Sequence, residues 1–253
     1  MRILFLGTGT SYGVPEIGCK CPVCISDDPK NKRLRPSVFI EFKNKNILID
    51  TTPDFRAQML NNNIIRIDNV LFTHYHADHI MGLDDIRRFN TIQNKRLPVY
   101  GDRKTIERIK KIFFYAFEEG NPFDTYFPKL DSFIIDGPFE FEGVIIEPVE
   151  VYHGGMPVLG FRIGDFAYLT DCNKIPENSL KKLNNLKALV FGTLRFDKHI
   201  SHFSIPEAIE AANKIKPRKT YFTHISHSID HSIAEKMLPE NTFIAYDGLE
   251  III

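Results

Sequence analysis

The chain has 253 residues, enough for a sizeable hydrophobic core and within the range of large single-domain sandwiches and barrels. Lys plus Arg and Asp plus Glu both number 32, so the formal net charge is zero. This balance argues against a nucleic-acid binder that works by counterion release alone, because no overall field would attract a long polyanion.

The N-terminal apolar run is too short for the hydrophobic region of a signal peptide and lacks a small-residue cleavage site. No stretch approaches the roughly 18 apolar residues that a membrane-spanning helix needs. We therefore expect a cytoplasmic protein.

Three closely spaced cysteines follow a strand predicted at residues 3–6. Cys19, Cys21 and Cys24 are too close together for disulfide bridges of ordinary geometry. Three thiolates supply three corners of a zinc tetrahedron and leave one ligand to come from elsewhere in the fold. The alternative is three reduced cysteines without a metal. Cys172 stands apart, and we expect it to be a small buried apolar side chain.

A hairpin and a buried strand come next, and they lead into the densest cluster of polar groups in the chain. Strands at 37–42 and 46–50 are joined through 43–45, and a third strand is predicted at 70–72. Four candidate metal ligands then follow within six residues: His74, His76, Asp78 and His79. Alternation along an extended segment sends the two leading histidines the same way, and a turn into a helix at 80–89 displaces the other two. This pattern predicts two metal ions.

The rest of the chain alternates between strand and helix patterns. A helix is predicted at 104–117, with Ile106, Ile109, Ile112 and Phe113 on one face. Further strands are predicted at 133–135, 144–151, 159–163, 166–170, 188–191, 220–223 and in the apolar end of 242–253. Ser204 and Glu207 form a capping box at the start of a helix over 204–215.

No internal repeat or Gly/Ser linker divides the sequence, so we expect one domain over residues 1–253. Many strands precede and separate the helices, which favours an α/β architecture with two sheets covered by helices. A two-domain division near residue 130 is the less favoured alternative.

Further candidate ligands recur at one kind of place, the C-terminal end of an apolar strand. His153, Asp171 and His224 each occupy such a position, as His74 does. Strands that end on a common edge place their last residues in one cleft. Taken alone, His153 or His224 would more often be a histidine with only a structural role. Because all three residues follow apolar strands, a shared metal site is favoured.

This ligand set resembles that of the metallo-β-lactamase superfamily, which implies a four-layer αββα sandwich. The segments 18–24, 50–56 and 82–87 are further similar to the cyclic phosphodiesterase family of the carbon–phosphorus lyase pathway, which hydrolyses phosphoribosyl 1,2-cyclic phosphate. The resemblance covers nearly the whole chain, from residue 7 to residue 224.

The resemblance implies two divalent active-site ions, manganese or zinc, and one structural zinc. One active-site ion would be held by His74, His76 and His153, and the other by Asp78, His79 and His224. Asp171 would bridge them. The structural zinc would be held by Cys19, Cys21, Cys24 and His227, which lies three positions after the last active-site histidine.

Two such ions, about 3.5–4 Å apart, would convert a water between them to hydroxide near neutral pH, aimed at phosphorus. We count Asp78 and His202 as the catalytic residues. His202, which precedes the capped helix, would be the general acid or a phosphate clamp, and His199 is its competitor. The N-terminus of that helix would also favour an anion.

Four other residues near the motifs receive weaker interpretations. Asp50 ends its strand and is expected to orient a ligand imidazole by a hydrogen bond. Asp54 and Asp85 would do the same or would serve only as capping or surface groups. His231 has no role that its sequence position supports.

Two features limit the prediction of the substrate. A glycine is common after Asp-Thr in this superfamily, but this chain has Thr52, which would shift the loop near the metals. Residues 104–129 are rich in aromatic side chains. They could form a lid over a nucleoside base, but we favour core packing or a homodimer interface.

We expect hydrolysis of a small, cyclic phosphodiester such as phosphoribosyl 1,2-cyclic phosphate or a cyclic nucleotide, without long nucleic acid or membrane as partner. A tRNA 3′-processing nuclease would carry a basic tRNA-binding arm, which the sequence lacks. A thioester or lactam hydrolase would use the same hydroxide on a carbonyl group. A non-enzymatic scaffold is the least favoured alternative, because the ligand set is complete.

Overall fold

Two seven-stranded sheets form the centre of the protein, in a computed structural model that describes residues 1–118 and 127–253. Strands are numbered in chain order. The first sheet contains, in spatial order, β14 (Glu250–Ile252), β1 (Arg2–Gly7), β2 (Ser37–Phe42), β3 (Lys45–Ile49), β4 (Asn69–Leu71), β5 (Leu97–Gly101) and β6 (Leu130–Ile134). The second contains β13 (Thr242–Ile244), β12 (Lys219–Thr223), β11 (Ala188–Gly192), β10 (Phe166–Leu169), β9 (Met156–Ile163), β8 (Val144–His153) and β7 (Phe139–Phe141).

Short helices cover the outer faces of the sheets or lie in the connections. Within the described residues they are α1 (Pro22–Ile25), α2 (Phe55–Asn61), α3 (Ala77–Ile80), α4 (Arg87–Gln93), α5 (Arg103–Ile112), α6 (Glu177–Leu180), α7 (Ile205–Ile215) and α8 (His231–Glu235).

Both faces of each sheet are buried, and this produces four layers. In β1, Ile3 and Phe5 pack into the core between the sheets, while Leu4 and Leu6 pack into a second core outside the first sheet. This alternation is the period of two that a strand imposes. A third core lies outside the second sheet and includes Ala208 of α7. The predicted αββα sandwich is therefore confirmed.

Parallel pairing determines where the functional groups collect. In the first sheet β3, β4, β5 and β6 run parallel, and in the second β10, β11, β12 and β13 do so. Parallel strands present their C-terminal ends at one edge, where ligands bind in α/β proteins. The loops that follow β3, β4, β10 and β12 carry most of the predicted active-site residues, while His153 ends β8 and His202 follows β11.

The predicted helix at 80–89 is interrupted in the structure. Instead, α3 is followed by a 3₁₀ turn at Leu83–Ile86 and then by α4. The break occurs at Gly82, where an added Cβ would lie 1.9 Å from the carbonyl oxygen of Thr52. The Gly82 amide also donates to the carbonyl oxygen of Thr51 at 2.9 Å. The close approach of this threonine loop overrides the helical periodicity.

The helix predicted at 104–117 is also shorter than expected. It ends at Ile112, and a 3₁₀ turn at Phe114–Ala116 follows. Ile106 and Ile109 are buried as predicted, whereas Ile112 is 40% exposed. The chain turns at Phe113, which returns to the core, so the single apolar face does not continue.

The described part of the aromatic segment packs largely within the protein. Phe113 is buried, and the Tyr115 ring lies 5.0 Å from that of Phe127. The Tyr115 hydroxyl donates to Asp84 at 3.0 Å. These contacts favour core packing for this part. Phe123 and Tyr126 lie outside the described residues.

Two local predictions agree closely with the structure. The β2–β3 hairpin turns at Lys43 and Asn44, which have φ of 50° and 60°. Ser204 and Glu207 form the reciprocal capping box at the start of α7. Both depend on neighbouring residues only, which is why the sequence reveals them.

Candidate metal centre

The backbone bends sharply at three of the strand ends that face the cleft. Asp50, Asp171 and His224 follow β3, β10 and β12 with φ of 64°, 47° and 63°. A left-handed conformation is unfavourable for residues other than glycine and persists where the surrounding structure enforces it, often at functional sites. Each bend directs its side chain toward the common edge of the two sheets.

Three imidazoles form the first ligand cluster: His74, His76 and His153. The Nε2 atom of His74 lies 2.9 Å from the Nδ1 atom of His76. The Nδ1 atom of His153 lies 2.9 Å from the carbonyl oxygen of Ser201, to which it donates, so Nε2 remains available to a metal. One ligand atom from each residue lies within 4.8 Å of the others.

The second cluster comprises Asp78, His79, Asp171 and His224. The Nε2 atom of His79 lies 3.5 Å from a carboxylate oxygen of Asp78 and 3.5 Å from Oδ1 of Asp171. The Nε2 atom of His224 lies 3.4 Å from the same Oδ1. Imidazole and carboxylate at this spacing suit a zinc or manganese ion.

Asp171 lies between the two clusters with one oxygen toward each. Its Oδ1 faces His79 and His224, while its Oδ2 lies 4.0 Å from Nε2 of His74. Burial raises the pKa of Asp171, but the neighbouring His224 and His79 lower it well below its usual value. The carboxylate is therefore ionised, as a group bridging two cations would be.

Asp50 and Thr73 hold the ligand imidazoles from behind. The Nδ1 atom of His79 donates to Asp50 at 2.7 Å, which directs its Nε2 into the site. Both the amide and the hydroxyl of Thr73 donate to Asp50 at 2.8 Å, and the hydroxyl lies 3.0 Å from Nδ1 of His74. Burial raises the pKa of Asp50, although these hydrogen bonds favour its ionised form. The predicted orienting contact of Asp50 is thus present.

The donor set fits divalent cations. Several buried atoms have no hydrogen-bond partner among the described residues: Nε2 of His79, both ring nitrogens of His224 and Nδ1 of His202. Burial lowers the pKa of His79, but Asp78, Asp171 and Asp50 together raise it well above its usual value. Unpaired buried polar atoms are costly, and a coordinated cation would satisfy them and balance the carboxylates.

The ring of His202 packs against the candidate metal ligands, and the ring of His199 packs against His202. The ring of His202 stacks on His224 with centroids 4.7 Å apart and lies 4.6 Å from His153. His199 is 5.2 Å from His202, and it contacts Ser201. Burial and the charge of His224 lower the pKa of His202 to about 3, which favours a neutral imidazole. A neutral ring still donates one N–H to a phosphate oxygen.

The helix that follows His202 does not supply free amides for an anion. Oε2 of Glu207 accepts from the Ser204 amide at 3.0 Å, and Oγ of Ser204 accepts from the Glu207 amide. The first turn of α7 therefore already carries a carboxylate, which would repel a phosphate. The anion-binding role expected for this helix terminus is wrong.

The three cysteines meet His227 in a third, separate cluster. Nδ1 of His227 lies 3.3, 3.6 and 3.5 Å from the sulfur atoms of Cys19, Cys21 and Cys24. A tetrahedral zinc, with bonds of about 2.3 Å to sulfur and 2.0 Å to nitrogen, places these atoms about 3.5 Å apart. The Cys24 amide donates to Cys21, and mainly for this reason the pKa of the Cys21 thiol falls to about 7.

Four other residues discussed above are not members of the ligand clusters. Asp54 pairs with Arg35 at 3.0 Å, and the side chain of Asp85 has no described contact with the site. Cys172 is fully buried, as expected. His231 is also buried, with Nδ1 lying 3.2 Å from the guanidinium of Arg33.

Sequence reasoning missed two residues that support the site. Thr73 ties Asp50 to His74, and the Ser201 carbonyl oxygen orients His153. Thr73 directly precedes the histidine motif, so its position in the sequence is a signal for this role. The Ser201 contact comes from a backbone atom 48 positions away from its partner, for which no sequence signal exists.

The β-lactamase superfamily domain matches residues 45–225 of the chain. This segment includes all seven side chains of the two active-site clusters. The crystal structure of a new diphosphatase from the PhnP family aligns over 100% of this chain and 97% of that chain, with a TM-score of 0.92 and 40% identity.

Two curated relatives are longer than this chain. An octanoyltransferase of Porphyromonas gingivalis is 39% identical over 257 residues, which cover 100% of this chain and 52% of the relative. A ribonuclease Z of Methanococcus maripaludis is 27% identical over 116 residues, which cover 44% of this chain and 32% of the relative. The chain thus spans about half the length of the first, and the matched region is about a third of the second.

In the described parts of the chain, no helix has the length and apolar character needed to cross a membrane.

Proposed function

The chain belongs to the β-lactamase superfamily and, within it, to the PhnP family, and from this we propose that it is a metal-dependent hydrolase of a small phosphodiester. The substrate class we favour is a cyclic phosphodiester, such as phosphoribosyl 1,2-cyclic phosphate or a cyclic nucleotide. The diphosphatase supports phosphorus over carbon as the reacting centre, since it resembles this chain along its whole length.

One observation carries the proposal: two ligand clusters share Asp171, one carboxylate oxygen toward each. Two divalent ions held there would lower the pKa of a water between them and polarise the phosphoryl oxygens. Manganese and zinc both suit this donor set. A third ion, zinc, would occupy the cluster of Cys19, Cys21, Cys24 and His227.

Side chains of the protein would compensate the charge of the ions and donate hydrogen bonds to the substrate. Asp78, beside His79, and Asp171 remain ionised and compensate positive charge in the centre. His202 lies against the ligand rings of both clusters, where its neutral imidazole would donate to a phosphoryl oxygen or to the departing oxygen. Asp50 prevents His79 from rotating away.

The test is a substrate panel assayed separately with manganese and zinc. It contains bis(p-nitrophenyl) phosphate, phosphoribosyl 1,2-cyclic phosphate, cyclic AMP, a phosphomonoester, an octanoyl thioester, a β-lactam and a precursor tRNA. We expect turnover of the small phosphodiesters, and we expect Asp171→Asn protein prepared in parallel to be inactive. That matched control excludes a contaminating enzyme.

Turnover of the thioester or the lactam without any phosphodiester would contradict the proposed reaction. The thioester is included because one relative is an octanoyltransferase, although the chain spans only about half of it. Cleavage of the precursor tRNA alone would instead favour the ribonuclease Z activity of the other relative. A cytoplasmic location and a homodimer stay predictions.

A further inference from the structure

A cleft of about 390 Å³ extends from the active-site histidines to the cysteine cluster. Its floor is formed by the segment that follows β12, which contains His224, Ser226 and His227. Thr10 and Tyr12 line one side, while Arg195 and His199 line the other. The remaining lining residues are Ser11, Glu16, Leu194, Asp197, His202 and Ser228. The volume exceeds what one phosphoryl group would fill.

The segment that carries Arg195 is held on both sides by backbone hydrogen bonds. The Ser226 amide donates to the carbonyl oxygen of Leu194 at 3.1 Å, and the Ile205 amide donates to that of Arg195 at 2.9 Å. On the other side of the floor, the Ile225 amide donates to the carbonyl oxygen of Thr8 at 2.8 Å. The backbone beneath the Arg195 side chain therefore forms part of a continuous, rigid surface.

The guanidinium of Arg195 is hydrogen-bonded to two backbone carbonyl groups, but no ion pair among the described residues neutralises its charge. Its Nε donates to the carbonyl oxygen of Asp197 at 3.4 Å, and an Nη donates to that of Lys198 at 3.1 Å. No described carboxylate lies within ion-pair distance of it, whereas Arg2, Arg35, Arg66 and Arg96 all have such partners. Arg195 and His199 both line the cleft, so the charge of Arg195 lies beside it.

We propose that Arg195 binds a second phosphate of the substrate, separate from the phosphate that reacts. This inference builds on the proposed function and narrows its substrate class to molecules with a further phosphate. A planar guanidinium suits a phosphate, since it donates two parallel N–H groups. The hydroxyl groups of Ser226 and Ser228, 2.7 Å apart on the cleft floor, would complete the binding site.

The second phosphate could be a pendant monoester, as in phosphoribosyl 1,2-cyclic phosphate, or the neighbouring group of a diphosphate. Two substrate pairs distinguish these sources. The first compares phosphoribosyl 1,2-cyclic phosphate with ribose 1,2-cyclic phosphate. The second compares di(adenosine 5′) diphosphate with the methyl ester of AMP. In each pair only the first member carries the additional phosphate.

Arg195→Gln is the decisive variant. In the pair that the enzyme hydrolyses, we expect this variant to raise the KM for the substrate with the additional phosphate about 10- to 100-fold more than the KM for the substrate without it. The reason is that a charge-assisted hydrogen bond to the second phosphate is lost. Lys198→Gln is the matched control. It removes the same charge from the same loop, but Lys198 is directed toward Glu207 and is 87% exposed. The control should leave the ratio of KM values unchanged.

A binding measurement keeps the inference testable if none of these esters reacts. Calorimetry on the metal-loaded protein compares inorganic pyrophosphate with inorganic phosphate, with metal content and melting temperature checked for each variant. Arg195→Gln should reduce the preference for pyrophosphate about 10-fold or more. If the variant leaves both the KM ratios and the pyrophosphate preference unchanged, Arg195 does not bind a second phosphate. Absence of turnover in the wild type, by contrast, would contradict only the proposed function.

Discussion

The candidate active-site clusters and the cysteine cluster of this protein are assembled in different ways. The candidate active-site clusters collect side chains from four separate segments of the chain, between His74 and His224, and are largely buried. The cysteine cluster takes three of its four ligands from six consecutive residues and adds only His227 from a distance. The first depends on the whole sandwich for its geometry, whereas the second depends on one long-range contact.

The clusters are nevertheless joined through the segment after β12. His224 and His227 lie three residues apart, with one in each cluster. Nε2 of His227 also lies 3.5 Å from Glu16 of the N-terminal loop. A metal at the cysteine cluster would thus hold the N-terminal loop against the active-site floor. Disruption of either cluster should reveal how far the two are independent.

The largest expected effect comes from Asp171→Asn. The amide cannot place an anionic oxygen toward each cluster, so turnover should fall about 10³-fold. Metal analysis should show loss of active-site ions and retention of the ion at the cysteine cluster. Asp165→Asn, on the exposed β9–β10 turn, is the control. If Asp171→Asn retained both active-site ions and full turnover, the bridging assignment would be wrong.

His202→Ala should lower turnover about 10²-fold while metal content remains unchanged, since His202 acts on the substrate in our proposal. His199→Ala should have a smaller effect, because its ring lies farther from the ligands. The structure also allows His202 to join His153 and Asp171 as a ligand group. Loss of an ion on substitution would assign it there, and an unchanged rate would remove it from the reaction.

Asp50→Asn tests the support behind the active-site ligands. One carboxylate oxygen of Asp50 accepts from both Nδ1 of His79 and the Thr73 hydroxyl. An asparagine NH₂ group at this position would meet these donors with another donor, so His79 would lose its fixed orientation. Metal affinity should fall about 10- to 100-fold. Chelator competition measures this, with Asp54→Asn as control because Asp54 contacts Arg35 instead. Equal affinities for the two variants would show that Asp50 does not position the ligand.

The smallest expected effect on turnover comes from Cys21→Ser, which removes a ligand only from the cysteine cluster. One zinc per chain should be lost. If the free zinc concentration is about 1,000 times the Kd of the wild-type site, the free energy of unfolding should fall by about 4 kcal/mol. Turnover should fall less than about 10-fold once the active-site ions are supplied in excess. Thermal melts with and without zinc measure the loss. Loss of every ion from this variant would mean that the clusters are not independent.

Local sequence patterns predicted most of the strands and the capping box closely, but they predicted no strand at β5 (Leu97–Gly101) or β7 (Phe139–Phe141). They failed where distant segments make contact. The helix after the histidine motif breaks at Gly82 because the Thr52 carbonyl oxygen approaches from another loop. Ile112 is exposed because the chain turns at Phe113. The contact at Gly82 has no local signal, since it depends on packing between segments that are 30 residues apart in sequence.

The sequence by itself determined which residues can hold metals, because ligand chemistry belongs to the side chains and strand ends are visible in the hydrophobic pattern. The family resemblance implied how they divide, but only the tertiary structure decided the geometry of the clusters. It placed one oxygen of Asp171 toward each active-site cluster, and it brought His227 to the cysteines. It also left the charge of Arg195 without a described carboxylate partner beside the cleft. Such arrangements depend on distances between loops, which the paired sheets determine and which no spacing along the chain encodes.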